Sequence, residues 1–179
     1  MSLHPLICHP RAPAPWLTSV EVRIQAVAPA GLSLSYVLQG DLARLRLPPP
    51  TDPKRADGLW RSTCCELFLG RIGHPGYREY NFSPSTAWQA YDFADYRSAR
   101  RLPAVQPPCI ACELEPDRFE LDVVLATADL PGYPRLRLGL TLVVEARGGA
   151  LSYWALHHPL PEPDFHHPAA FTLDLDLSP

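Results

Sequence analysis

The chain has 179 residues, a formal net charge of −3 and 20% charged residues, a length that suits one domain with a sizeable core. There is no basic run to hold nucleic acid or a membrane surface, and no apolar stretch of the ~18 residues that a membrane helix needs. Twenty-two prolines, several in clusters such as Pro48-Pro49-Pro50 and Pro103 to Pro108, leave little room for long helices.

Residues 1–18 read as an N-terminal extension without the continuous apolar segment of a signal peptide. Five cysteines at irregular spacing make no disulfide framework, so the expected setting is a reducing cytoplasm. Period-two alternation then begins, with Val20, Val22 and Ile24 opposite Glu21, Arg23 and Gln25. A turn at Pro29-Ala30-Gly31 leads to a second row, Leu32, Leu34, Tyr36 and Leu38. Leu42 to Leu47 is expected to be a strand that the proline triplet stops, and 51–58 a polar loop. Cys64 to Leu69, Tyr77 to Ser83 and Trp88 to Phe93 predict a three-strand meander, followed by a long connection over 94–108.

Cys109 to Glu115 and Phe119 to Leu125 are strands joined by the turn residues Pro116-Asp117-Arg118. Ala126 to Leu130 has room for one helical turn. Leu136, Leu138, Leu140, Leu142 and Val144 form the cleanest core row, which Gly148-Gly149 turns into Leu151 to His157. After a loop rich in His and Pro, the row Phe171, Leu173, Leu175 and Leu177 closes the chain. About ten short strands without a helix of real length predict an all-β antiparallel β-sandwich in one domain.

Chemistry concentrates in a few places. Glu66 lies inside a run, Cys64 to Leu69, that otherwise reads as buried strand, and an unpaired buried charge costs several kcal/mol. Either an arginine pairs it, or it belongs to a set of polar groups that binds hydroxyls, with Asn81 on the next strand. Trp60, Trp88 and Trp154 sit beside these polar clusters and either fill the core or stack on a sugar ring. His157-His158 and His166-His167 flank a loop carrying Asp164, the composition of a metal site without the H-x-H or H-E-x-x-H spacing of one. The structural alternative is that Asp164 and His166 bond the backbone of that loop and hold it against the sheet. Cys109-Ile110-Ala111-Cys112 lies in a strand, where residues three apart point to opposite faces, so its cysteines and Cys64-Cys65 are read as small buried hydrophobes. No nucleophile elbow and no Gly-rich phosphate loop is present; Glu66 and Glu79 are the one conceivable acid–base pair.

Three strings, Leu59-Trp60-Arg61-Ser62-Thr63-Cys64-Cys65-Glu66-Leu67-Phe68, Tyr77-Arg78-Glu79-Tyr80-Asn81-Phe82-Ser83-Pro84-Ser85 with Trp88, and Ser152 to Pro159 leading to Pro163-Asp164-Phe165-His166-His167, resemble the DOMON-like proteins related to the type 9 carbohydrate-binding module. The matching segments run in order over roughly residues 20–177. The resemblance implies a jelly-roll-like sandwich and a non-catalytic module for a small ligand, a carbohydrate or glycoconjugate first, with haem the other ligand of the superfamily. On this reading Trp60, Glu66, Asn81, Trp88, Trp154, His158, Asp164 and His166 are the candidate ligand-binding residues, with no catalytic residue, no resident metal and no cofactor. Haem would need bis-histidine ligation, since Met1 is the one methionine and Lys54 the one lysine. A protein-interaction domain is the third expectation.

Overall fold

In a computed structural model of the chain, residues 2–27, 31–132 and 135–176 are described below. They carry twelve strands: β1 (Ser2–Pro5), β2 (Ile7–Cys8), β3 (Leu17–Val27), β4 (Gly31–Gly40), β5 (Cys64–Arg71) and β6 (Tyr77–Phe82), then β7 (Trp88–Phe93), β8 (Cys109–Leu114), β9 (Arg118–Leu125), β10 (Arg135–Glu145), β11 (Leu151–Ala155) and β12 (Leu173–Asp176). One sheet runs β1-β3-β4-β9-β8 and the other β2-β11-β10-β5-β6-β7, with β12 pairing the first half of β10. Every strand-to-strand ladder among the described residues is antiparallel, so the protein is the β-sandwich that its alternating rows predict.

The inward rows do the packing. Val22, Leu34, Tyr36, Leu121 and Val123 from one sheet meet Cys65, Leu67, Tyr80, Phe82 and the Leu136–Val144 row from the other, all fully buried. Each such large apolar side chain contributes about 1.5–3 kcal/mol by leaving water. Tyr36 keeps its hydroxyl satisfied inside by donating to the Glu66 carbonyl (2.7 Å).

Several local expectations change. Residues 2–8 of the expected extension are strands that edge both sheets, β1 on β3 and β2 on β11. Leu42–Arg44 is a single 3₁₀ turn, with one bridge from Leu45 to Ala146, where a strand is expected. Leu42 and Leu45 are both buried at the i, i+3 spacing that a 3₁₀ turn brings onto one side, as the chain crosses between sheets. The helical turn after β9 is present as Thr127–Asp129. β11 stops at Ala155, because the His/Pro segment leaves the sheet there. Cys64 and Cys65 are buried as expected, but Cys109 and Cys112 are exposed, since β8 is an edge strand of its sheet. The turn residues Pro29 and Ala30, and Leu177, lie outside the described residues.

A candidate ligand site on the outer face of the second sheet

Strand alternation sends every second residue of β5, β6, β7, β10 and β11 away from the core. There a second apolar cluster forms from Phe68, Tyr77, Tyr91, Phe93 and Val143, beneath Phe165 and Phe171 of the 156–172 segment. Phe171 packs on Phe68 (ring centroids 5.5 Å) in a slot floored by Gly70 and Gly139, where a Cβ on Gly139 would stand 2.7 Å from its ring.

Beside this cluster lies an open cavity of about 640 Å³, within the range of small-molecule sites. Glu66 and Glu79 form its floor and are 2% and 4% exposed. Register sets Glu66 opposite Asn81, so Glu79 is its diagonal neighbour on the same face. Glu66 accepts from Thr141 Oγ1 at Oε2 (3.1 Å), and Glu79 accepts from Asn81 Nδ2 at Oε1 (2.5 Å). Burial drives both carboxyls up; repulsion from Glu79 adds to the rise at Glu66, and Glu79 is pushed up to about 7.

Trp60 and Tyr91 stand together on one side of the cavity, edge to face at 6.0 Å, and Tyr153 and Phe165 pack edge to face within its lining. Trp60 is half-buried on the short turn Leu59–Arg61, which the left-handed Gly58 (φ 75°) launches just before β5. The Tyr91 hydroxyl donates to Asp57, and the Arg100 guanidinium lies 4.7 Å above the Tyr91 ring.

A tied knot of loops makes the remaining wall. Asp164 accepts from the Tyr96 hydroxyl, from Arg97 Nη2 (2.8 Å) and from the His166 backbone N–H (3.0 Å). Burial pushes the Asp164 carboxyl up, but the bonds from Tyr96 and Arg97 outweigh it and hold it below the usual range. Arg97 is left-handed (φ 51°), and its N–H donates to the Tyr77 hydroxyl (3.2 Å), which stands 2.7 Å from His166 Nδ1. His166 Nε2 faces Glu79 Oε2 at 3.7 Å, and burial together with Arg97 pushes the imidazole down to about 4, so the ring is neutral near pH 7.

The sequence candidates therefore separate. Trp60, Glu66 and His166 line the cavity. Asp164 anchors its wall, and Asn81 lies fully buried beneath it as the partner of Glu79. The partner of Glu66 is Thr141, where an arginine is one of the two expectations. Trp88 and Trp154 point into the sandwich, 2% and 7% exposed, because Trp88 pairs with inward Phe82 and Trp154 with inward Leu142. The neighbours of opposite parity, Tyr91 and Tyr153, line the cavity together with Glu79, Arg97 and Arg100. Parity relative to Glu66 is the signal that would have found the tyrosines.

His158 is away from the cavity. Its Nε2 meets the Ile7 carbonyl (2.8 Å), its ring stands edge-on to His9 (4.7 Å), and burial, with His9 and His157, lowers its pKa. His167 Nδ1 caps the turn Pro168–Ala170 by accepting from the Ala169 N–H (3.2 Å). Among the described residues no three His, Cys, Asp or Glu side chains converge as a metal site requires. Of His157, His158, His166 and His167, the histidines that bis-histidine haem ligation would draw on, His166 alone lines this cavity, and its Nδ1 meets the Tyr77 hydroxyl.

The sequence matches no protein-family model and no curated protein. Solved structures share the fold. A candidate carbohydrate-binding protein of Bacteroides uniformis superposes with a TM-score of 0.69 at 16% identity, covering 98% of this chain and 86% of that one. A family 9 carbohydrate-binding module of Caldicellulosiruptor kristjanssonii, solved with cellotriose, superposes with a TM-score of 0.56 at 9% identity, covering 96% of this chain and 82% of that one. At these identities the likeness is one of fold.

Proposed function

We propose that the protein is a non-catalytic, DOMON-like module related to the type 9 carbohydrate-binding modules, and that its outer-face cavity binds a saccharide unit. The observation that carries this reading is the pairing of aromatic walls with a floor of buried carboxyls in one cavity. Ring faces take the apolar side of a sugar, and fixed carboxyl oxygens take its hydroxyls. The likeness in fold to a module solved with cellotriose supports the same reading. In this assignment Trp60 and Tyr153 are stacking surfaces, Glu66 and Glu79 the hydrogen-bonding floor, and the Asp164–Arg97 knot a support.

Titration calorimetry against mono- and oligosaccharides tests it. One saccharide class should bind, and Trp60→Ala or Tyr153→Ala should weaken that binding about tenfold while leaving the melting temperature nearly unchanged. A protein that binds no saccharide at millimolar concentration is not a carbohydrate-binding module.

A further inference from the structure

The cavity floor holds two buried carboxyls without a bonded cation. Glu66 has one oxygen bonded to Thr141 and, among the described residues, no hydrogen-bond partner at the other. Glu79 has one oxygen bonded to Asn81, and its second faces the neutral His166 ring at 3.7 Å, with no hydrogen bond to it among the described residues. The nearby cations are engaged elsewhere: Arg97 bonds Asp164 (2.8 Å), and Arg100 pairs with Asp57 (3.7 Å) over the Tyr91 ring. Arg61 stands exposed among the lining residues.

Two adjacent buried carboxyls are costly to ionise, so in the empty site they hold protons instead. A neutral sugar can bond their oxygens but brings no charge to balance them. A protonated amine brings one positive charge and three N–H donors to carboxyl oxygens that none of the lining arginines, Arg61, Arg97 and Arg100, bonds directly.

We propose that this floor recognises the protonated amino group of a saccharide, so that the site prefers an amino sugar with a free amine over a neutral hexose or its N-acetylated form. This rests on the saccharide-binding reading and specifies its ligand class. The groups that surround the two carboxyls set the pH behaviour. From the sheet these are Cys64, Asn81 and Thr141; from the flank Asp57, Tyr91 and Arg100; from the loops Arg97, Asp164 and His166; and from the facing sheet Tyr36. None of them is a cation bonded to either glutamate.

The test is calorimetry with glucosamine, glucose and N-acetylglucosamine at about pH 7 and about pH 5, in two buffers of different ionisation enthalpy. Glucosamine should bind at least about tenfold tighter than the other two near neutrality, release about one proton, and weaken severalfold on acidification as the carboxyls regain their protons. Glu66→Gln and Glu79→Gln, checked for folding by thermal melts, should bring the ratio of glucosamine to glucose affinity close to one. Glucose binding as tightly as glucosamine, without proton release, overturns the amine assignment and leaves the saccharide reading standing. No binding of any of the three, with other saccharides equally blank, removes both.

Discussion

The carboxyl pair on the cavity floor makes stability depend on pH in a direction opposite to that of an ordinary salt-bridged carboxylate. The perturbation is Glu79→Gln, which keeps the shape and removes the proton site. In the unfolded chain Glu79 gives up its proton near 4.5, and in the folded protein, buried, it keeps it up to about 7. A raised folded pKa means that stability is highest in acid and falls as pH rises through that window. At about 1.4 kcal/mol for each tenfold difference in proton affinity, the whole effect is about 3 kcal/mol, of which about 2.5 kcal/mol falls between about pH 5 and pH 8. The introduced amide can crowd the Asn81 amide and cost about 1 kcal/mol, but equally at both pH values. Relief of repulsion on Glu66 adds to the gain on the alkaline side. For a chain of this length about 2.5 kcal/mol moves the melting temperature by roughly 5–10 °C. Thermal unfolding of both proteins at the two pH values should therefore show Glu79→Gln gaining on the parent by that amount as pH rises. A gap between the two proteins that is the same at both pH values would refute the reasoning.

Three further perturbations address packing and the loop knot. Trp88→Ala should cost about 3–5 kcal/mol in urea unfolding, since the ring is core and carries the Arg55 guanidinium 4.4 Å above it; a loss under about 1 kcal/mol would return Trp88 to the surface. Asp164→Ala removes three hydrogen bonds at once, and about 2 kcal/mol of stability with them. Its hydrogen-exchange signature should be faster exchange over 94–101 and 164–171 with the sheets unchanged. Gly139→Ala should destabilise by about 1–3 kcal/mol by unseating Phe171, whereas Gly148→Ala, with nothing within 4 Å of its new methyl, should be near neutral. Equal melting temperatures for these two variants would contradict the glycine-floored slot.

The strand rows were legible because period-two alternation is imposed by the pleat itself. Val20 to Ile24, Leu32 to Leu38 and Leu136 to Val144 each show one apolar side, and the rows pair as the fold requires. Glu66 was legible for the same reason, as a charge whose neighbours in sequence could not have placed it in a core without compensation. Where both faces of a strand are covered, alternation fades, and so does the information. Leu151-Ser152-Tyr153-Trp154 offers one apolar and one mixed residue pair whichever way it faces, and a slip of one residue exchanges Tyr153 for Trp154 at the cavity. The short edge strands β1 and β2 carry too few residues for any period to show.

What the sequence determined by itself was the sandwich, the meander that carries Glu66, Glu79 and Asn81, and the concentration of polar and aromatic groups around it. Which aromatic rings meet that floor was decided only by cross-strand register, because parity is meaningful only relative to a paired neighbour. The wall was decided by a contact 67 residues apart, Asp164 with Arg97, between two irregular loops. No local periodicity encodes such a pairing, since its geometry exists only once the sheet has brought both loops to one face.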